Sequence, residues 1–173
     1  MIAMDVIWDF AEDHYGIITT AQAVELGVDK HILPAMAQRG TLIKKAYGVY
    51  LVRRHVPREN DVYAHSVAVA GASAYLRGAS VVALLKLAPT RPAIIYVGAE
   101  LRVRRQLPKG IRLVDMRKCE CVEYEGIRCQ SVVEALRTAK KEGQMEYDRI
   151  AVAAQAAAAK GLISDAESAE FQI

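Results

Sequence analysis

The chain reads as an α+β protein in two parts: a small helical domain closed by a β-hairpin over residues 1–56, and a mixed α/β domain over 57–173. Three observations predict it. Apolar residues recur at helical spacing through three short segments before residue 40, then give way to strand-like runs on either side of a basic turn. Pro57 and the polar run Arg58-Glu59-Asn60-Asp61 break that pattern as a linker does. Beyond the break, helical segments flank a stretch from Ala93 to Gln130 that alternates in the manner of strands.

Val6, Ile7, Phe10 and Ala11 recur at helical spacing with Asp5, Asp9, Glu12 and Asp13 largely opposite, which predicts an amphipathic first helix ended by Gly16. After the short apolar step Ile17-Ile18, Thr19 or Thr20 can cap a second helix, AQAVEL, because a threonine hydroxyl satisfies a backbone N–H that lacks a helical partner. Gly27 closes it. Asp29 is placed to cap a third helix, KHILPAMAQR, with Ile32, Leu33 and Met36 inward and Gly40 as terminator. Pro34 would stand beyond the first turn of that helix and remove one backbone hydrogen bond, so a tight or slightly kinked start is expected. In TLIKKAYGVYLV, Leu42-Ile43 and the run from Val49 to Val52 enclose Lys44-Lys45-Ala46-Tyr47-Gly48, a hairpin with a basic tip. Helix, short turn, helix and basic hairpin is the order of a winged helix-turn-helix.

The second part follows the same logic. Val62 to Ala72 predicts a helix, and Ser80 is placed to cap another, VVALLKL, that stops before Pro89. AIIYVG, RVRRQL, IRLVDM and CVEYEGIRC read as strands, with Glu125-Gly126 as a hairpin turn. Ser131 caps VVEALRTAKKEG, and Met145 to Ala159 forms a long helix followed by Gly161 and a short tail.

A chain of 173 residues that is 53% hydrophobic and 25% charged can bury a core and is expected to be ordered throughout. The amino-terminal acids stand where a signal peptide would need basic residues, and no apolar run approaches the ~20 residues that span a bilayer. A cytoplasmic protein without a membrane segment is therefore expected. Cys119, Cys121 and Cys129 are odd in number and close together, unlike a secreted disulfide framework, and their spacing departs from paired zinc ligands. They are expected as free thiols; no metal and no cofactor is expected.

Charge changes sign in blocks along the chain. Residues 1–26 hold five acids and no Lys or Arg, 27–58 hold seven basic residues and one acid, and 77–118 hold ten basic residues against two acids. Such blocks point to directed contact with polyanions. On the third helix, Gln38 can pair with adenine, Arg39 with guanine, and Lys30 and His31 stand near its start. Lys44, Lys45 and Tyr47 on the hairpin suit phosphate or minor-groove contact, and Thr20 opens the second helix beside them. Taken singly, His31 reads equally as a surface histidine and Lys44-Lys45 as a solvated turn. In this order, and without acids in the same stretch, they predict an interface for double-stranded DNA.

The run GIITTAQAVELGVDKHILPAMAQRGTLIKKAYGVYLV resembles the N-terminal domain of AbiEi-type antitoxins of bacterial type IV toxin–antitoxin systems. The features that carry it are Thr19-Thr20, Gly27-Val28, Gly40-Thr41-Leu42 and Gly48-Val49-Tyr50. ASVVALLKLAPTRPAIIYVG and GIRCQSVVEALRTA resemble the family's second domain. The resemblance implies a repressor that binds its own promoter, with inverted repeats as the expected operator, and neutralises a cognate nucleotidyltransferase-like toxin. A toxin-binding face is expected on the second basic block, at Arg102, Arg104, Arg105, Lys109 and Arg112, together with Arg77, Lys86 and Arg91. The same block also reads as a solvated sheet edge or an extension of the DNA footprint.

Two other classes are open to the sequence. A stand-alone winged-helix regulator would use the second domain to sense a ligand or protein. A nuclease would need carboxylates such as Asp115, Glu123 and Glu125, but the chain has no Gly-rich phosphate loop, Gly-x-Ser-x-Gly or His-Glu-x-x-His. No enzyme is expected.

Overall fold

The computed structural model describes residues 2–90 and 93–173. It is a mixed α+β protein with eight helices and two sheets among the described residues, divided into two compact units that meet at Val69 and Ala70.

The first unit opens with α1 (Ala3–Glu12), which buries Ile7 and Ala11. β1 (Ile17–Thr19) leads into α2 (Thr20–Glu25), where Thr19 forms a capping box: its hydroxyl accepts from Gln22 N, and Gln22 Oε1 accepts from Thr19 N. Thr20 is thus the first helical residue and Thr19 the cap. Then follow α3 (Ile32–Gln38), β2 (Leu42–Ala46) and β3 (Val49–Val52). The step Ile17-Ile18 is a strand: the sheet order is β1-β3-β2, and both neighbours run antiparallel to β3. Ile7, Ile18, Leu33 and Leu42 are fully buried against one another's elements, and each contributes about 1.5–3 kcal/mol of burial.

The third helix is shorter than its periodicity suggests. Asp29 accepts from His31 N through Oδ1 at 2.8 Å and from Ile32 N through its carbonyl at 3.0 Å, forming a turn that precedes the helix. Lys30 and His31 therefore lie outside α3. Pro34 becomes the third helical residue, where its missing N–H would have had no helical partner, so the expected kink has no cause.

α4 (Asp61–Ala70) belongs almost wholly to the first unit. Arg58 Nη2 donates to Glu12 O at 2.7 Å, and His65 Nε2 donates to Tyr15 O at 2.9 Å. The polar run at 58–61, whose composition suggests a linker, is bonded back onto α1 and the turn after it.

The second unit holds β4 (Ala74–Leu76), α5 (Ala79–Leu84), β5 (Ile95–Ala99), β6 (Ile111–Val114), β7 (Val122–Tyr124), β8 (Ile127–Cys129), α6 (Val132–Lys141), α7 (Tyr147–Ala159) and α8 (Asp165–Ala169). The sheet order is β6-β5-β4-β8-β7, with β5–β6 and β4–β8 parallel and the other pairs antiparallel. Glu125 and Gly126 both have positive φ, as the two-residue β7–β8 turn requires. The alanine face of α7 buries Ala153, Ala154 and Ala157 with Leu136 and Ala139 of α6, small side chains that let the helices approach closely.

Four expectations change here. Ser80 lies inside α5, where its hydroxyl accepts from Tyr96 N at 2.7 Å, and Gly78 takes the cap position with φ 55°. RVRRQL forms no strand: Val103 N donates to Asp115 Oδ2 at 2.9 Å instead of joining a ladder. The tail contains α8, opened by a capping box between Ser164 and Glu167. Cys119 and Cys121 are joined as a disulfide, their Cα atoms 5.1 Å apart, within the span such a bond bridges. Cys129 is a free, buried thiol, and burial pushes its pKa up to about 12.

Candidate nucleic-acid interface

α3 anchors the first candidate surface by turning Leu33 and Met36 into the core, which leaves Ala35 half-buried and Gln38 exposed. Its seven residues extend for about 10 Å, and a helix about 10–12 Å across fits a major groove about 12 Å wide. Lys30 and His31 are exposed just before it, and Arg39, exposed, is its C-cap. Arg53 braces the far end, donating through Nε to Gly40 O and through its backbone N to Thr41 O. Sequence reading passed over that arginine, because nothing in its spacing shows that β3 ends beside the close of α3.

The hairpin owes its two adjacent exposed lysines to an irregularity in pairing. In a regular strand Lys44 and Lys45 would point to opposite faces. Here Lys44 pairs with Tyr50 while Ala46 pairs with Val49, so Lys45 is the extra residue of a bulge. Both lysines are exposed. Tyr47 is 84% exposed at the turn, and Lys44 Nζ stands 5.7 Å from its ring centroid. Gly48, with φ 69°, makes the turn, and its carbonyl accepts from Thr20 N at 2.9 Å. Thr20 is half-buried at this junction. Lys30, His31, Gln38, Arg39, Lys44, Lys45 and Tyr47 are all exposed on α3, its flanks or the hairpin, and residues 30–58 contain no acid.

The chain matches no protein-family model and no curated protein sequence.

A second exposed basic group lies in the other unit. Arg102, Arg104, Arg105 and Lys109 are exposed on the connection from β5 to β6, and Arg112 is exposed on β6, an edge strand, with its guanidinium 5.9 Å from the Tyr96 ring centroid. Arg77 is not part of that surface. It is 2% exposed and makes a two-point contact with Glu142, at 2.8 and 2.7 Å. Its guanidinium holds the Glu142 carboxyl below the usual glutamate range. Lys86 is exposed, and Arg91 falls outside the described residues. Of the carboxylates considered for a nuclease, Asp115 accepts from Val103 N, Glu123 lies on exposed β7, and Glu125 occupies the turn after it.

Proposed function

We propose that the first unit is a winged helix-turn-helix that binds double-stranded DNA, with α3 as the recognition helix and the β2–β3 hairpin as the wing. One observation carries the reading: seven exposed side chains able to contact phosphates or base edges cluster on α3, its flanks and the adjoining hairpin, in a stretch free of acids. Phosphate contacts supply affinity without regard to sequence, and base-edge contacts from the helix supply specificity. Replacing Lys44 and Lys45 together with alanine is expected to weaken promoter and random duplexes alike. It should also reduce the steepness of log K against log salt by about two units, one for each phosphate no longer neutralised. Fluorescence anisotropy at several salt concentrations reads both, and an unchanged salt slope removes the wing from the interface.

By its resemblance to AbiEi-type antitoxins, the whole chain acts as an autoregulating repressor that neutralises a nucleotidyltransferase-like toxin. The toxin meets the exposed group Arg102, Arg104, Arg105, Lys109 and Arg112, whose guanidinium forks suit two-point pairing with carboxylates. Serine at Arg102, Arg104 and Arg105 is expected to abolish rescue in cells that co-express the neighbouring toxin gene, with promoter binding nearly intact. Lost promoter binding with full rescue assigns these arginines to DNA.

A second reading, a stand-alone regulator with a sensing domain, draws on a cavity of about 320 Å³ in the second unit, lined in part by Ser80, Tyr96, Gln144, Met145 and Arg149. A nucleotidyltransferase frame adjacent to the gene favours the antitoxin; its absence favours the regulator.

A further inference from the structure

We propose, against the expectation of no metal drawn from the sequence, that His55, Asp61 and His65 form a binding site for a divalent transition-metal ion of the zinc class. His55 lies just beyond β3, Asp61 opens α4, and His65 follows four residues later, so the last two share one face of that helix. One ligand atom from each residue lies within 4.8 Å of the other two, and all three side chains are half-buried in the first unit. Zinc bonds of about 2.0–2.1 Å in tetrahedral geometry place ligand atoms roughly 3.4 Å apart, so closure needs movements of about 1 Å.

Three further observations fit a cation. Asp61 Oδ2 already faces His55 Nε2 at 2.8 Å, a gap that a proton fills and a metal would take over by drawing on the same lone pairs. Asp61 Oδ1 is buried with no hydrogen-bond partner among the described residues, an unusual state for a carboxylate oxygen and one that a coordinated cation relieves. His65 Nε2 is 2.9 Å from Tyr15 O, the kind of carbonyl contact that fixes the ring of a metal-ligating histidine. Gly16 lets the His55 ring stand where it does, since a Cβ there would collide with it.

Two imidazoles and a carboxylate suit zinc and its neighbours in the first transition row better than calcium or magnesium, which prefer oxygen ligands. A water completes four-coordination. The ion would fasten the first two turns of α4 to the segment after β3.

The test is a titration of ZnCl2 into chelator-treated full-length protein, followed by calorimetry and thermal unfolding. One equivalent is expected to bind and raise the melting temperature. Asp61→Asn, which keeps the side chain's shape, and His65→Ala are expected to weaken binding at least about tenfold and to remove the thermal shift. Circular dichroism of each variant checks its fold. Because thiols also bind zinc, a Cys119→Ser, Cys121→Ser, Cys129→Ser variant, which removes the free thiol and the two that a reduced disulfide would supply, accompanies them and is expected to bind as the wild type does. No binding by the wild type, undiminished binding by folded Asp61→Asn, or loss of binding in the cysteine variant overturns the site.

Discussion

Glu142→Ala is expected to destabilise the second unit by about 3 kcal/mol, because it strands the Arg77 guanidinium, 2% exposed, without its counter-charge. The loss falls at the low end of the range for buried pairs, since the Glu142 side chain is 33% exposed and water can reach its place. Adding Arg77→Met should recover much of it, as the cation and its desolvation leave together and Arg77 Nε, buried with no partner among the described residues, goes with them. Urea unfolding of the wild type and the single and double variants measures this. A double variant no more stable than Glu142→Ala refutes the account. The pair also has a pH signature. Glu142 has its folded pKa lowered, chiefly by hydrogen bonds from Arg77, so its contribution is fully present above the ordinary glutamate value of about 4.3 and is lost as pH falls through the lower folded value. The gap between wild type and Glu142→Ala should therefore be constant near neutrality and narrow in acid.

Gly98→Ala should cost about 1–3 kcal/mol by overpacking. Gly98 on β5 pairs with Tyr75 on β4, whose ring lies over it, and a Cβ at Gly98 would collide with that ring. The ring has nowhere to go, being fully buried with its hydroxyl donating to Arg117 O at 3.1 Å. Tyr75→Leu in the same chain is expected to make the two changes cost less together than their sum. Strict additivity in thermal or urea unfolding would show that the close approach is not the cause.

The elements most legible in the sequence are those whose signals are local. The hairpin between Leu42 and Val52, the Glu125-Gly126 turn, the Ser131 cap and the helical run after Met145 each need only neighbours a few residues away, and each forms close to where the pattern puts it, except that β2 runs on through Ala46 and sets Lys44 and Lys45 on the strand instead of in the turn. Where a distant partner decides, the pattern misleads. Ser80 looks like a helix cap until Tyr96 N claims its hydroxyl. The alternation of RVRRQL is that of a strand, yet Asp115 engages Val103 N in an irregular connection. Arg77 looks like one more exposed cation in a basic block, because Glu142 lies 65 residues away. Among the candidate interface residues, the order of helix and hairpin is readable, but the bulge that exposes Lys44 and Lys45 together is not. The grouping of His55 with Asp61 and His65 leaves one trace, an acid and a histidine four residues apart, too common a spacing to stand out.

The hydrogen bond from Thr20 N to Gly48 O, with β3 held between two partners, means that the hairpin tip is ordered before anything touches it. Flexible loops lose conformational freedom when they dock, and that loss is subtracted from every contact they make. Here folding has already met that cost. Lys44, Lys45 and Tyr47 still have side-chain rotations to lose, but the backbone that carries them does not. Substitutions that loosen the Thr20–Gly48 junction would thus act mainly by returning entropy to the unbound protein, with every contacting side chain still in place.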